Sequence, residues 1–417
     1  MKSSRSFRAL RFGAGALLVG GLGAVAIAAP ALAEDAPGHW VPVTDLPATA
    51  VNAIAVDGSA GTVMWSTFDP GDPPGHVHTV DASTGTQVHD APVGLAPQFV
   101  QASVNETTHR LYVSVFGSAE VRVVDSVGGT VLHTFSRDDW MPWSAAVDST
   151  HDRVYVVDGN DNGWNPTGSV TVIDGATNMI LTTVDAPDGL AYPAFSEHHH
   201  ELYIPVEGEE GGSLLVFDAD TNAFLDPIVS TSIENPTMVI VDDELDRAFV
   251  LQFDPDSGQP SILLIDLTTK QVVHEEELPA ADIVVDSGMA YDPARKLILL
   301  GVDGHSDEPP HLVSIDARSG HIVARDPIPL TESTGAEFAA ASAGVFGIAV
   351  DAATSRAYVT LTDNRVAVLQ WVPAAPAQLP NTGADEAPLV AATGVAFALL
   401  AVGGALTLGR RRIRART

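Results

Sequence analysis

The chain has 417 residues, with 53 acidic against 21 basic side chains, a formal charge of −32 and no cysteine. That charge repels phosphates and anionic polymers, which argues against nucleic acid as a partner. A disulfide-held scaffold is excluded, so the fold must rest on its core. The acidity fits either a surface that attracts cations or basic groups, or plain solubility.

Taken in chain order, the N-terminus reads as an export signal. Lys2, Arg5, Arg8 and Arg11 precede the apolar run Ala14 to Ile27, and Ala31-Leu32-Ala33 fits an A-x-A cleavage site. Residues 1–33 are predicted to be a signal peptide for the general secretory route, because no twin-arginine pair occurs. Residues 34–372 are predicted to form the folded domain, long enough for a substantial core. The domain opens on a lone strand-like piece, His39 to Thr44.

A pattern then repeats with a period of about 48 residues. Its clearest anchor is an alternating strand ending in Asp: at Asp81, Asp125, Asp174, Asp218, Asp266 and Asp316, with Gln370 in the seventh copy. Upstream in each copy a polar turn leads to a basic residue and an aromatic strand. The best examples are Arg110-Leu111-Tyr112-Val113, Arg153-Val154-Tyr155-Val156, Arg247-Ala248-Phe249-Val250 and Arg356-Ala357-Tyr358-Val359; Glu201-Leu202-Tyr203 and Lys296-Leu297-Ile298 are weaker. Alternating strand-formers separated by Gly, Asp, Asn and Pro predict four short strands per copy, A to D from an axis outward. The fold class is therefore all-β, a seven-bladed propeller of four-stranded antiparallel blades. The last copy ends after its third strand, so His39 to Thr44 is predicted to supply the fourth and close the ring.

The repeat resembles the YVTN-type β-propeller family, most closely at Val170 to Leu181, at Tyr358-Val359-Thr360 and in the prolines before strand A (Pro97, Pro142, Pro193, Pro236). The resemblance spans about residues 51–372. It implies the propeller fold, but that family contains surface-layer proteins, binding proteins and some enzymes, so the fold does not select a function.

In such a ring the D–A and B–C loops share one face, where ligands are expected. The B–C loops here are long and acidic. Asp158, Asn160 and Asn162 fall at positions 1, 3 and 5 of a calcium loop, with Gly163 at the sharp turn. Ser169 stands where the bidentate Glu would be, so another loop would have to complete a Ca2+ shell; a plain Asn/Gly turn gives the same spacing. Trp140, Trp143, Trp164 and Tyr192 come from neighbouring loops of the same sector and form a candidate platform for a sugar or peptide ligand; capping of the blade core is the competing role. His198-His199-His200 sits in an A–B turn, on the other face, and reads as solvated.

After a short Pro/Ala linker comes Leu379-Pro380-Asn381-Thr382-Gly383, then the uncharged apolar run Pro388 to Leu408, then Arg410 to Arg416 with five arginines. The run is long enough to cross a bilayer at ~1.5 Å per residue, and the arginines should stay inside. The order resembles the LPXTG cell-wall sorting signal of Gram-positive surface proteins. The resemblance implies that a sortase cuts after Thr382 and joins it to peptidoglycan. The expected organisation is then 373–387 linker and motif, 388–409 transmembrane helix and 410–417 cytoplasmic tail. The leading function is a wall-anchored propeller that binds an extracellular glycan, peptide or protein. A metal-dependent surface hydrolase or lactonase and a structural wall protein are the alternatives.

Overall fold

The structure is a computed structural model that describes residues 38–67, 75–138, 140–159, 168–207, 211–280, 282–285, 288–304, 308–329 and 343–374. Residues 1–33, Leu379 to Gly383 and the apolar run Pro388 to Leu408, on which the export and sorting expectations fall, lie outside the described residues.

Seven antiparallel sheets are arranged as blades. Blades 1, 3, 5 and 6 each take their four strands consecutively from the chain, as in blade 3 with strands A (Pro142–Asp148), B (Arg153–Asp158), C (Gly168–Asp174) and D (Met179–Ala186). In blade 2, strand A is split into Pro97–Gln98 and Val104–Asn105 by a turn of 3-10 helix, Gln101–Ser103. The Gln101 side chain of this turn ties blade 2 to the innermost strand of blade 1 (Val51–Asp57): its Oε1 accepts from the Val56 amide and its Nε2 donates to the Val56 carbonyl, both at 2.8 Å. In blade 4, strand D shrinks to Ala223–Phe224, with one further bridge between Leu214 and Ile228.

Blade 7 is built from both ends of the domain. Its strands A (Val345–Asp351), B (Arg356–Leu361) and C (Arg365–Val372) are joined by His39–Pro47, which pairs antiparallel with strand C from His39↔Val372 to Pro47↔Arg365. The predicted closing strand is present and three residues longer than the sequence pattern marks. Trp40 is 1 % exposed within it, packs edge-on against Trp371 at 5.3 Å, and donates its backbone N–H to Asp326 of blade 6 at 2.8 Å.

The repeated Asp residues prove to be turn-formers. Asp81, Asp125, Asp218 and Asp316 each accept two backbone N–H groups of the following C–D turn, and Asp174 and Asp266 accept one. A left-handed residue then ends each of these turns: Gly85, Gly129, Asn178, Asn222, Lys270 or Gly320. Glycine and asparagine tolerate that conformation best, which explains the Thr-Gly and Thr-Asn pairs. The A–B turns end in the same way at Gly61, His109, Asp152, His200, Asp246, Lys296 and Ser355. This corrects the repeat alignment of blade 6. Leu297, not Lys296, pairs with Asp316 as Arg153 pairs with Asp174, so Lys296 belongs to the turn and not to the basic anchor. A good part of the acidity is thus spent on shaping turns.

Candidate functional site

The innermost strands surround an axial channel. Ile54, Phe99, Val100, Met289 and Ile348, apolar side chains on or beside these strands, pack around a void of only about 10 Å³. Toward the A–B face the channel widens into a cavity of about 820 Å³ lined by residues of all seven blades. Its floor is apolar (Met238, Met289, Ala290, Phe195), and its rim carries Glu106, Asp242, Asp243, Glu244 and Asp351 against one cation, Lys296. This is the size and character of a small-ligand site: an apolar wall with a few placed polar groups.

The rim charges are not equivalent. Lys296 is buried, with Nζ 3.0 Å from Asp242 Oδ2 and 2.6 Å from Glu244 Oε2. Tyr291 donates its hydroxyl to Asp242 and lies under the ammonium. Burial pulls the Asp242 carboxyl up, but the hydrogen bonds from Tyr291 and Lys296 outweigh it and hold it below the ordinary value. Burial lowers Lys296, and its two carboxylate partners outweigh that and raise it. Asp243 is taken by the Ser196 hydroxyl at 2.5 Å and the Glu197 amide at 2.9 Å. Asp351 accepts the Ala353 and Thr354 amides. Glu106 differs: like Glu244 it is exposed at the rim, but Lys296 holds Glu244 and not Glu106. Loss of hydration, then the charges of Asp57 and Asp351, push its carboxyl up against the Ser59 and Gly58 amides that stabilise it. Of the rim groups it is the one best placed to meet a cation from solvent.

Beside it, Ser59 Oγ and His109 Nδ1 both contact the buried Asp57, at 2.8 and 2.9 Å. The carboxylate is central in this trio, which is not the order of a nucleophile activated by a histidine. Ser59 also donates to the Glu106 carbonyl at 2.7 Å, so the trio braces the rim.

The residues singled out from the sequence are distributed differently. Trp143 and Tyr192 do meet, with ring centroids 6.0 Å apart, and Phe116 packs edge-on against Trp143 at 5.8 Å. Their cleft holds only about 70 Å³, room for a few waters, and Tyr192 is 4 % exposed. Trp140 is not on this surface. It is 1 % exposed between blades 2 and 3, among Tyr112, Phe135, Val154 and Ile173, because the chain turns its ring inward beneath Arg137. Asp158 ends strand B of blade 3 and is buried. Asn160, Asn162 and Trp164 lie outside the described residues, as do Leu379 to Gly383. Of the expected solvated run, His198 is exposed, while His199 is half-buried with its Nε2 2.5 Å from Asp246 Oδ1; in the A–B turn of blade 3, His151 is exposed with its Nδ1 2.9 Å from Asp148 Oδ2.

No family model matches the chain, and no curated protein matches it. Solved structures do. A chain described as Kuenenia stuttgartiensis hydrazine synthase superposes with a TM-score of 0.60 at 19 % identity, covering 78 % of this chain and 96 % of that one. At that identity the likeness is one of fold, and the chemistry has to be argued from the side chains here.

The axial cavity was missed by sequence reasoning because its rim comes from A–B turns, short segments that read as turn chemistry. The signal available was the cluster Asp242-Asp243-Glu244: three consecutive carboxylates exceed what one turn needs.

Proposed function

We propose that this protein is an exported, cell-wall-anchored surface propeller that captures an extracellular ligand through its acidic axial cavity. The single observation that carries the binding role is that cavity, about 820 Å³ with an apolar floor and five carboxylates against one ammonium at its rim. Such a rim favours a positively charged group over an anionic or neutral one. A basic peptide side chain or an amine-bearing wall component fits: an alkyl stem against Met238 and Met289, its cation toward Glu106. The leader and the Leu379–Gly383 motif support the location, through their resemblance to export and sorting signals. The Pro373–Gln378 stretch is short and contains Pro373 and Pro376, a composition that would hold the cavity near the wall and favour a local ligand.

Calorimetric titration with lysine- and arginine-containing tripeptides, and with neutral oligosaccharides as controls, tests the binding role. Saturable binding of the basic peptides, weakened at least fivefold in Glu106→Gln, supports it. Equal affinity of wild type and Glu106→Gln removes the cavity from the proposal. Anchoring is tested separately by Thr382→Ala, which should move the protein from the wall fraction to the membrane fraction or medium.

A further inference from the structure

We propose that His274, Glu276 and His321 form a binding site for a divalent transition ion of the zinc class, at the outer boundary between blades 5 and 6. His274 and Glu276 are two apart on strand D of blade 5 (Gln271–Glu277), so they share one face. His321 directly precedes strand D of blade 6 (Ile322–Pro327). Their ligand atoms all lie within 4.8 Å of one another. His274 Nε2 and His321 Nδ1 approach the same Glu276 oxygen, Oε2, at 3.3 and 3.2 Å.

Those two distances carry the inference. Ligands held at ~2.0–2.1 Å around a tetrahedral ion stand about 3.3–3.4 Å apart. A charge-assisted hydrogen bond is shorter, about 2.7–2.9 Å. Three His–carboxylate pairs elsewhere in the protein follow that rule, His76–Asp90 at 2.6 Å, His109–Asp57 at 2.9 Å and His151–Asp148 at 2.9 Å, whereas the pair His200–Asp220, with an exposed carboxylate, is looser at 3.4 Å. A second trio of suitable residues, His198, His199 and Asp246, also follows it, with His199 and Asp246 at 2.5 Å, so an ion there would have to break a closed hydrogen bond. Of the two trios, His274–Glu276–His321 is the one whose two His–carboxylate separations match the ligand spacing around an ion.

Other features fit. Glu276 Oε1 accepts the Ile322 amide at 3.2 Å, which fixes the carboxylate from behind as outer-shell hydrogen bonds do at metal sites. The close approach of the two blades needs a glycine: a Cβ on Gly320, at φ +83°, would fall 2.2 Å from His274 Cδ2. His321 is two-thirds exposed, so an ion can enter and a water can take the fourth position. Two imidazoles and one carboxylate suit zinc, and exclude the all-oxygen preference of calcium. The ion would clamp the outer strands of two blades that otherwise meet through side chains.

The test uses the purified protein after chelator treatment and dialysis, with Zn2+ and Co2+ as probes. Calorimetry should give one saturable site, and Co2+ should give the visible absorption of a tetrahedral complex. Both should be lost in His321→Ala, whose exposed side chain can go without harm to the fold, and in Glu276→Gln. The thermal midpoint should rise with Zn2+ in wild type and stay unchanged in His321→Ala. The proposal is overturned if the wild type shows no saturable site. It is equally overturned if His321→Ala binds as the wild type does, or if binding is lost only in His199→Ala.

Discussion

Arg153 of blade 3 donates from Nη1 to the carbonyl of Ala219 in blade 4, 3.1 Å away. Ala219 directly follows the strand-C aspartate of its blade, and the same relation recurs around the ring. Arg110 reaches the Gly175 carbonyl, Arg247 that of Ala317 at 3.4 Å, and Arg356 that of Ala82 at 2.6 Å. The basic residue of the repeat is therefore a latch between blades. In two of the blades that lack it the contact is rebuilt: in blade 1 by Ser126 donating to Asp57 at 2.5 Å, in blade 4 by Glu201 pairing with Lys270 of blade 5.

Arg153→Ala should cost about 1–3 kcal/mol, the range for a partly buried hydrogen bond from a charged donor. Nearly all of it should appear as faster unfolding if the blades dock late. Urea denaturation and unfolding kinetics check it; a loss below the scatter of the measurement would show that solvent replaces the latch.

Ring closure concentrates on Trp40. Its ring is buried against Trp371, Arg295 lies over both indoles, and Arg365 pairs with Asp45 on the same strand at 3.0 Å. Trp40→Ala should cost about 3–5 kcal/mol, as truncations of buried tryptophan do. Removal of residues 38–47 should cost more, because the edge of blade 7 would lie open. Thermal unfolding of the two variants tests the order; equal midpoints for deletion and wild type would mean that the ring does not depend on this strand.

The sequence disclosed the fold through three local signals that all follow from short-range chemistry: period-2 strands, aspartates that cap turns, and residues that accept left-handed backbone. Asp174 with Thr177-Asn178 is legible because turn and strand are contiguous. The closing strand was legible because one strand of the count was missing. The axial cavity was not, because Glu106, Asp242 and Asp351 are 109 or more positions apart from one another and converge only through the ring. The inward turn of Trp140 and the alignment of Lys296 were equally hidden, since both depend on which side of a short turn the chain leaves. His274, Glu276 and His321 meet across a blade boundary for the same reason.

Acid should unfold the protein through its turns. The Ser83 hydroxyl and Thr84 amide hold Asp81 down to about 2, and Thr177, Ser257 and Thr269 hold Asp174, Asp254 and Asp266 below the ordinary value. Carboxyls lower in the folded state than in the unfolded chain contribute stability that is present above ~3.9 and lost as pH falls through the folded values. Asp326, raised by burial, acts in the opposite sense and favours the fold when protonated. The depressed group is larger, so the thermal midpoint should fall between about pH 4 and pH 2. Replacing Asp81, Asp174, Asp254 and Asp266 together by Asn should flatten that fall; an unchanged slope would place the acid sensitivity elsewhere.

The buried pair in the axial cavity gives the sharpest energetic test. Lys296→Met leaves Asp242 buried with its Tyr291 hydrogen bond but without its cation, and losing one partner of such a pair costs about 3–5 kcal/mol. Asp242→Asn alone should be milder, because Asn still accepts from Tyr291 and Lys296 keeps Glu244. In the double variant no buried charge is stranded, so most of the loss should be recovered. A double-mutant cycle on unfolding free energies should therefore show strong coupling between the two sites. If the single losses simply add, the ammonium is already solvated through the open mouth, and the cavity is wetter than its apolar floor implies.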